Sequence, residues 1–204
     1  MPVKVKICGV TTPADARAAA ARGADYVGLN FCADSPRRVT VGQAQAIVEA
    51  LGDTPVVGVF VDAPEALVEE TIDAAGLSLL QFHGGEPPAY CAGWSRPVIK
   101  VIRARAPAQV VREAARYAAA DHLLIDTWVP GRAGGTGRRF DLTLLGDLDA
   151  GGLFLAGGLT PENVAEVVRA VRPFAVDVAS GVETRPGVKN HDAIERFIRL
   201  AKAA

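Results

Sequence analysis

The chain has 204 residues, half of them hydrophobic and 22% charged, an ordinary globular composition that argues for one domain over 1–204 and excludes intrinsic disorder. Twenty-two Lys and Arg against 23 Asp and Glu leave a formal charge of -1, so neither nucleic acid nor an anionic membrane surface is expected as the main partner. No run of about 18 uncharged apolar residues offers a membrane span, and the opening MPVKVKICGV has no secretory h-region; a cytoplasmic chain with a small-molecule ligand is expected.

Apolar runs rich in Val, Ile and Leu recur at 3–7, 26–31, 56–61, 78–82, 98–102, 122–126, 153–156 and 174–179, and each reads as a strand. Ala-rich segments of helical period separate most of them. Thr12-Pro13 before ADARAAAARG, Asp62-Ala63-Pro64 before EALVEETIDAAG and Thr160-Pro161 before ENVAEVVRAV mark helix starts, while Gly23 and Gly76 fit C-terminal caps. Eight such units average about 25 residues each, near the lower size limit of the architecture. The fold expected is α/β, a single-domain (β/α)8 TIM barrel of near-minimal length, with a doubly wound open sheet as its rival. Polar residues at the C-terminal strand ends (Cys8, Asn30, Asp62, His83, Arg103, Asp126, Asp177, Ser180) favour the barrel, which builds its active site from the loops at that rim. The longest loop candidate, 127–139, also follows a strand.

Outward faces of barrel strands pack on helices and accept lone carboxylates poorly, so Asp126 and Asp177 are expected to point inward. Pairing with a buried lysine such as Lys6 or Lys100 is the bland alternative for both. Cys8 shares its parity with Lys4 and Lys6 and is expected to reach the interior at its strand end; an inert buried thiol is the alternative. Glycine-rich turns, Gly157-Gly158 after the seventh strand and Ser180-Gly181 after the eighth, lie where many barrels bind phosphate through backbone N–H groups. The GGTG run at 134–137 offers a third phosphate contact or a lid hinge. His83 in QFHGGE is placed to bind substrate or move a proton, and Arg37 in SPRRV to clamp a carboxylate. Cys8, Cys32 and Cys91 form no CxxC pair, and His83, His122 and His191 are scattered, so neither a disulfide framework nor a metal site is expected.

Taken in order, KICGVT (6–11), ADYVGLNF (24–31), SPRRV (35–39), VGVFVD (57–62), QFHG (81–84), LIDT (124–127), GGTGRRFD (134–141), AGGLTPENV (156–164), RPFAVDVASGVE (172–183) and RPGVKNHDAIERFI (185–198) resemble the phosphoribosylanthranilate isomerase family over almost the whole chain. Phe82 stands where the family commonly shows Leu, and Arg38 where an aromatic is common. The resemblance implies an Amadori rearrangement without a cofactor, acting on a phosphorylated small molecule, and leaves a homodimer open. It implies Asp126 as the acid for ring opening and Cys8 as the base at C2′, Arg37 on the anthranilate carboxylate, Gly157, Gly158, Ser180 and Gly181 on the phosphate, and His83 and Asp177 lining the substrate. An acidic Asp126 requires a raised pKa, and a basic Cys8 a positive environment that favours the thiolate. Three other readings compete: a Schiff-base aldolase using Lys6 or Lys100, a sugar-phosphate-binding regulator without catalysis, and a bifunctional barrel that also isomerises a histidine-pathway aminoaldose.

Overall fold

A computed structural model describes residues 2–127, 142–146 and 148–204. Eight parallel strands, β1 (Lys4–Cys8), β2 (Tyr26–Asn30), β3 (Val56–Phe60), β4 (Leu79–Phe82), β5 (Val98–Ala104), β6 (His122–Thr127), β7 (Leu153–Ala156) and β8 (Ala175–Val178), close into a barrel. The ring closes where β1 pairs with β2 on one side and with β8 on the other. Each strand lies where the hydrophobic runs place it, within one or two residues at either end; short, nearly continuous apolar runs suit a parallel strand buried on both faces. The open-sheet rival is thereby excluded.

Alternation along the strands sorts two cores. Val57, Leu79, Ile99, Val101, Leu124, Phe154 and Ala175 fill the lower barrel interior, with Tyr26 and Phe174 packed against them. Val5, Ile7, Val27, Leu29, Phe60, Leu80, Phe82, Ile102, Ile125, Leu155 and Val176 belong to the second cluster, between the barrel and the helices. Residues of the inner parity at the C-terminal strand ends continue past the apolar plug, so the polar side chains there ring the mouth.

Helices α1 (Pro13–Ala21), α2 (Val41–Glu49), α3 (Glu65–Ala75), α4 (Pro107–Arg116), α5 (Val164–Val171) and α6 (His191–Lys202) run between or after the strands. Thr12 caps α1 by accepting from the Asp15 N–H at 3.1 Å, with Pro13 in the first turn, as its sequence signals. Gly76 ends α3 in the left-handed region at φ 62°. Two expectations need correction. The segment between β4 and β5 is turns rather than a helix, because Pro87 and Pro88 stand where helix N–H donors would be needed and Gly93 follows. Thr160-Pro161 lies one turn before α5, whose N-cap is Asn163; the Asn163 side chain instead accepts from the Thr160 N–H at 2.8 Å and donates to the Gly158 carbonyl at 2.9 Å, which makes a separate turn. After β8 the chain forms a short hairpin, β9 (Glu183–Arg185) with β10 (Val188–Lys189). Among the described residues no helix is long and apolar enough to cross a membrane.

Candidate active site

Inner-face parity delivers Cys8, Asp126 and Asp177 to one mouth, as expected. Cys8 ends β1, two residues beyond Lys6 on the same face. Lys6 is fully buried and donates to Asp177 Oδ1 across the β1–β8 seam at 2.9 Å. For Asp177 the lysine-paired alternative therefore describes its contact. Asp126 takes a different partner: its side chain keeps 28% of its exposure, and His83 Nε2 lies 3.5 Å from its Oδ2. His83 and Asp126 thus form one unit on the far rim, a pairing that the sequence did not indicate.

Electrostatics around Cys8 are mixed. Burial pushes its thiol above the ordinary value, Lys6 pulls the other way, and Asp177 adds to the rise. The cations expected to favour a thiolate, Lys6 and Lys189, are present, but desolvation and Asp177 outweigh them. Burial also opposes charge on Lys6, yet Asp177 and Cys8 together hold its ammonium above the ordinary lysine value.

Arg37, from the loop after β2, is already forked. Its Nε and Nη2 donate to the two carboxylate oxygens of Glu183 at 2.8 and 2.7 Å, a bidentate pair of the strong kind. Lys189 completes that cluster: its Nζ donates to Glu183 Oε1 at 2.8 Å, to the Cys8 carbonyl at 2.6 Å and to the Ala179 carbonyl at 3.1 Å. Despite burial, hydrogen bonds from Arg37 and Lys189 hold Glu183 below the usual carboxylate range. The β9–β10 hairpin is therefore the element that fixes both the Arg37 loop and the end of β1. Neither Glu183 nor Lys189 stood out in the sequence. Both fall inside segments that carry the family resemblance, 172–183 and 185–198, but nothing in VETRPGVKN says that it folds back over the mouth.

Gly157 and Gly158 turn at φ 98° and 68°, conformations that residues with side chains rarely adopt. At Gly181 a Cβ would collide with the Leu159 carbonyl oxygen, so the two glycine turns touch and form one concave rim. Ser180 opens a short 3-10 turn, Ser180–Val182, and no bond between described residues uses the N–H groups of Gly158, Ser180 and Gly181. Oriented backbone N–H groups of this kind suit an anion. The GGTG run at 134–137 lies outside the described residues, as does nearly all of the 127–139 loop.

Lys100 is no free nucleophile. It faces outward from β5, 2% exposed, and donates to Glu86 Oε2 at 2.6 Å and to the Gly84 carbonyl at 2.8 Å. Glu86 also accepts from the Asp62 and Gly84 N–H groups at 2.8 and 3.0 Å, so this buried pair braces the loop that carries His83. Gln81, 2% exposed on the inner parity of β4, has a side-chain oxygen without a partner. Among the described residues no group of three or more His, Cys, Asp or Glu is placed to hold a metal ion.

A family model described as N-(5′-phosphoribosyl)anthranilate (PRA) isomerase matches residues 5–200. The chain is 49% identical over 205 residues to the N-(5′-phosphoribosyl)anthranilate isomerase of Thiobacillus denitrificans, covering 100% of both chains. A crystal structure of phosphoribosyl anthranilate isomerase from Thermotoga maritima matches with a TM-score of 0.90 at 36% identity, covering 99% of this chain and 100% of that one. Another, of a phosphoribosyl anthranilate isomerase in complex with reduced 1-(o-carboxyphenylamino)-1-deoxyribulose 5-phosphate, matches with a TM-score of 0.86 at 35% identity over 99% and 100% of the two chains.

Proposed function

The chain belongs to the N-(5′-phosphoribosyl)anthranilate isomerase family, and from that premise we propose that Cys8 and Asp126 carry its chemistry as base and acid. The activity is the isomerisation of N-(5′-phosphoribosyl)anthranilate to 1-(2-carboxyphenylamino)-1-deoxyribulose 5-phosphate, a step of tryptophan biosynthesis. The observation that supports the assignment is the placing of the two groups on inner faces of separate strands at one mouth, β1 and β6, with an anion-suited rim on β7 and β8 between them.

In this mechanism Asp126 gives a proton to the ribose ring oxygen as the C1′–O bond breaks, leaving an open-chain Schiff base. Cys8, as thiolate, then takes the C2′ proton, and the resulting enolamine becomes the aminoketose by tautomerisation. His83 at 3.5 Å is the group through which Asp126 regains a proton. Arg37, held by Glu183 through Nε and Nη2, offers Nη1 to the anthranilate carboxylate. Gly157, Gly158, Ser180 and Gly181 take the phosphate, and Asp177 lines the ribose side. No cofactor enters the scheme. A cytoplasmic location belongs to the same proposal, since the base is a thiol that a reducing compartment preserves.

The test is the fluorescence of phosphoribosylanthranilate generated in situ: its enzyme-dependent loss is expected, and no turnover by folded protein removes the reading. The aldolase alternative fares poorly on geometry, because Lys6 and Lys100 each sit in an ion pair; borohydride in the presence of substrate is expected to trap no adduct.

A further inference from the structure

We propose that Lys6 is a positioning residue of this reaction: a shuttle of positive charge that leaves Asp177 for the Cys8 sulfur when the thiolate forms. The proposal rests on the assignment of Cys8 as base and adds to it the group that makes the anion tolerable inside the barrel.

Three observations carry it. First, the Cys8 Sγ and Lys6 Nζ share one notch. It exists because β2 has glycine at position 28, where a Cβ would lie 2.8 Å from the sulfur and 3.1 Å from the ammonium nitrogen. A side chain at 28 would displace both, so the absence of one lets thiol and ammonium meet. Second, the Lys6 ammonium is fully buried, and its hydrogen bond to a described carboxylate is the one to Asp177 Oδ1 at 2.9 Å. Three N–H donors with one carboxylate partner leave donors for the sulfur beside them. Third, the cations near Cys8 differ in how they are engaged. Among the described residues Lys6, Lys189 and the partly exposed Arg37 bring three cations to the walls around Cys8, and Asp177 and Glu183 bring two carboxylates. Of the three cations, Arg37 and Lys189 are both engaged by Glu183, which leaves Lys6 as the one able to move between two acceptors.

Among the described residues, the charged groups coupled to Cys8 are Lys6 on the same strand, Asp177 from β8, Lys189 from β10 and Arg37 from the loop after β2. Lys6 favours the thiolate and Asp177 opposes it, so their substitutions have opposite signs. This distinguishes a charge partner from a packing residue, whose loss shifts reactivity without regard to charge.

The experiment measures the rate of Cys8 alkylation by iodoacetamide against pH without substrate, following the peptide that contains Cys8 by mass spectrometry, with Cys32 as internal reference. Asp177→Asn is expected to speed Cys8 alkylation at a given pH, and Lys6→Met/Asp177→Asn to slow it about tenfold or more relative to that single variant, since an opposite charge at ~4–6 Å moves a pKa by roughly one to three units. The double variant removes both charges at once and avoids stranding a buried carboxylate. Should it fail to fold, Asp177→Asn with Gly28→Ala, which drives sulfur and ammonium apart, is expected to abolish the acceleration. Equal rates in all variants, or shifts of the same sign, overturn the proposal. The acidic limb of kcat/KM is read in parallel: if alkylation shifts as expected while that limb stays fixed, Lys6 is the partner of the thiol and the assignment of Cys8 as base is what fails.

Discussion

Glu86→Gln keeps the shape of a buried side chain and removes its charge, and the consequences can be worked from its contacts. The carboxylate is 2% exposed, accepts from Lys100 at 2.6 Å and from the Asp62 N–H at 2.8 Å, and takes the Gly84 N–H at 3.0 Å on each oxygen. The amide leaves the equally buried Lys100 ammonium without its counter-charge, a loss of about 3–5 kcal/mol. For a domain of this size that corresponds to a fall in Tm of roughly 6–20 °C. Lys100→Met is expected to cost a similar amount. The double variant Glu86→Gln/Lys100→Met is expected to lose less than the sum by about 2 kcal/mol or more, because a whole buried pair can be replaced at little cost. Acid sensitivity follows in sign. Against burial, hydrogen bonds from Lys100 and Asp62 hold the Glu86 carboxyl below its ordinary value. Its stabilisation is therefore fully present above the unfolded glutamate pKa of about 4.3 and is lost as pH falls from there through the folded value. The gap between wild type and Glu86→Gln should narrow over that window. Urea denaturation from pH 3 to 8 measures all of this, and kcat should fall with stability because the pair braces the His83 loop. Single variants that cost less than about 1 kcal/mol, or a strictly additive double variant, would refute the reasoning.

Cys8→Ser and Asp126→Asn should each reduce kcat by about 10²-fold or more with little change in Tm, the scale of a general base or acid; two folded variants that keep more than roughly a tenth of the activity would remove the assignment. In the wild type kcat/KM should fall as pH drops through the Cys8 titration, which burial places above the ordinary thiol value. Arg37→Ala should raise KM, with kcat/KM falling roughly 10- to 150-fold for a charge-assisted clamp; unchanged steady-state constants would mean that Arg37 serves Glu183 alone. Gly181→Ala forces the two glycine turns apart and should weaken competitive inhibition by inorganic phosphate, whereas Gly42→Ala in α2, where a methyl meets open space, should leave it unaltered.

Much of this protein was legible in the sequence because its physics is local. Eight short apolar runs, most of them spaced by Ala-rich helical segments in about 25-residue units, leave a parallel barrel as the economical way to bury every strand on both faces. Period-two alternation then assigns Lys6, Cys8, Asp126 and Asp177 to the inner face without reference to any neighbour, since parity is a property of one strand alone. Partnership is not. That Asp177 meets Lys6 while Asp126 meets His83 depends on ring closure between β1 and β8 and on where the loop after β4 turns back, contacts spanning 171 and 43 residues. The Glu183 and Lys189 cluster depends on a hairpin docking over the mouth, and the notch at Gly28 on the register of two strands that the sequence places side by side but cannot align. Charge state followed the same division. Side-chain type told which groups can hold or release a proton; only the assembled barrel, by desolvating Cys8 beside Lys6, Asp177 and Lys189, decided which way its thiol is pushed.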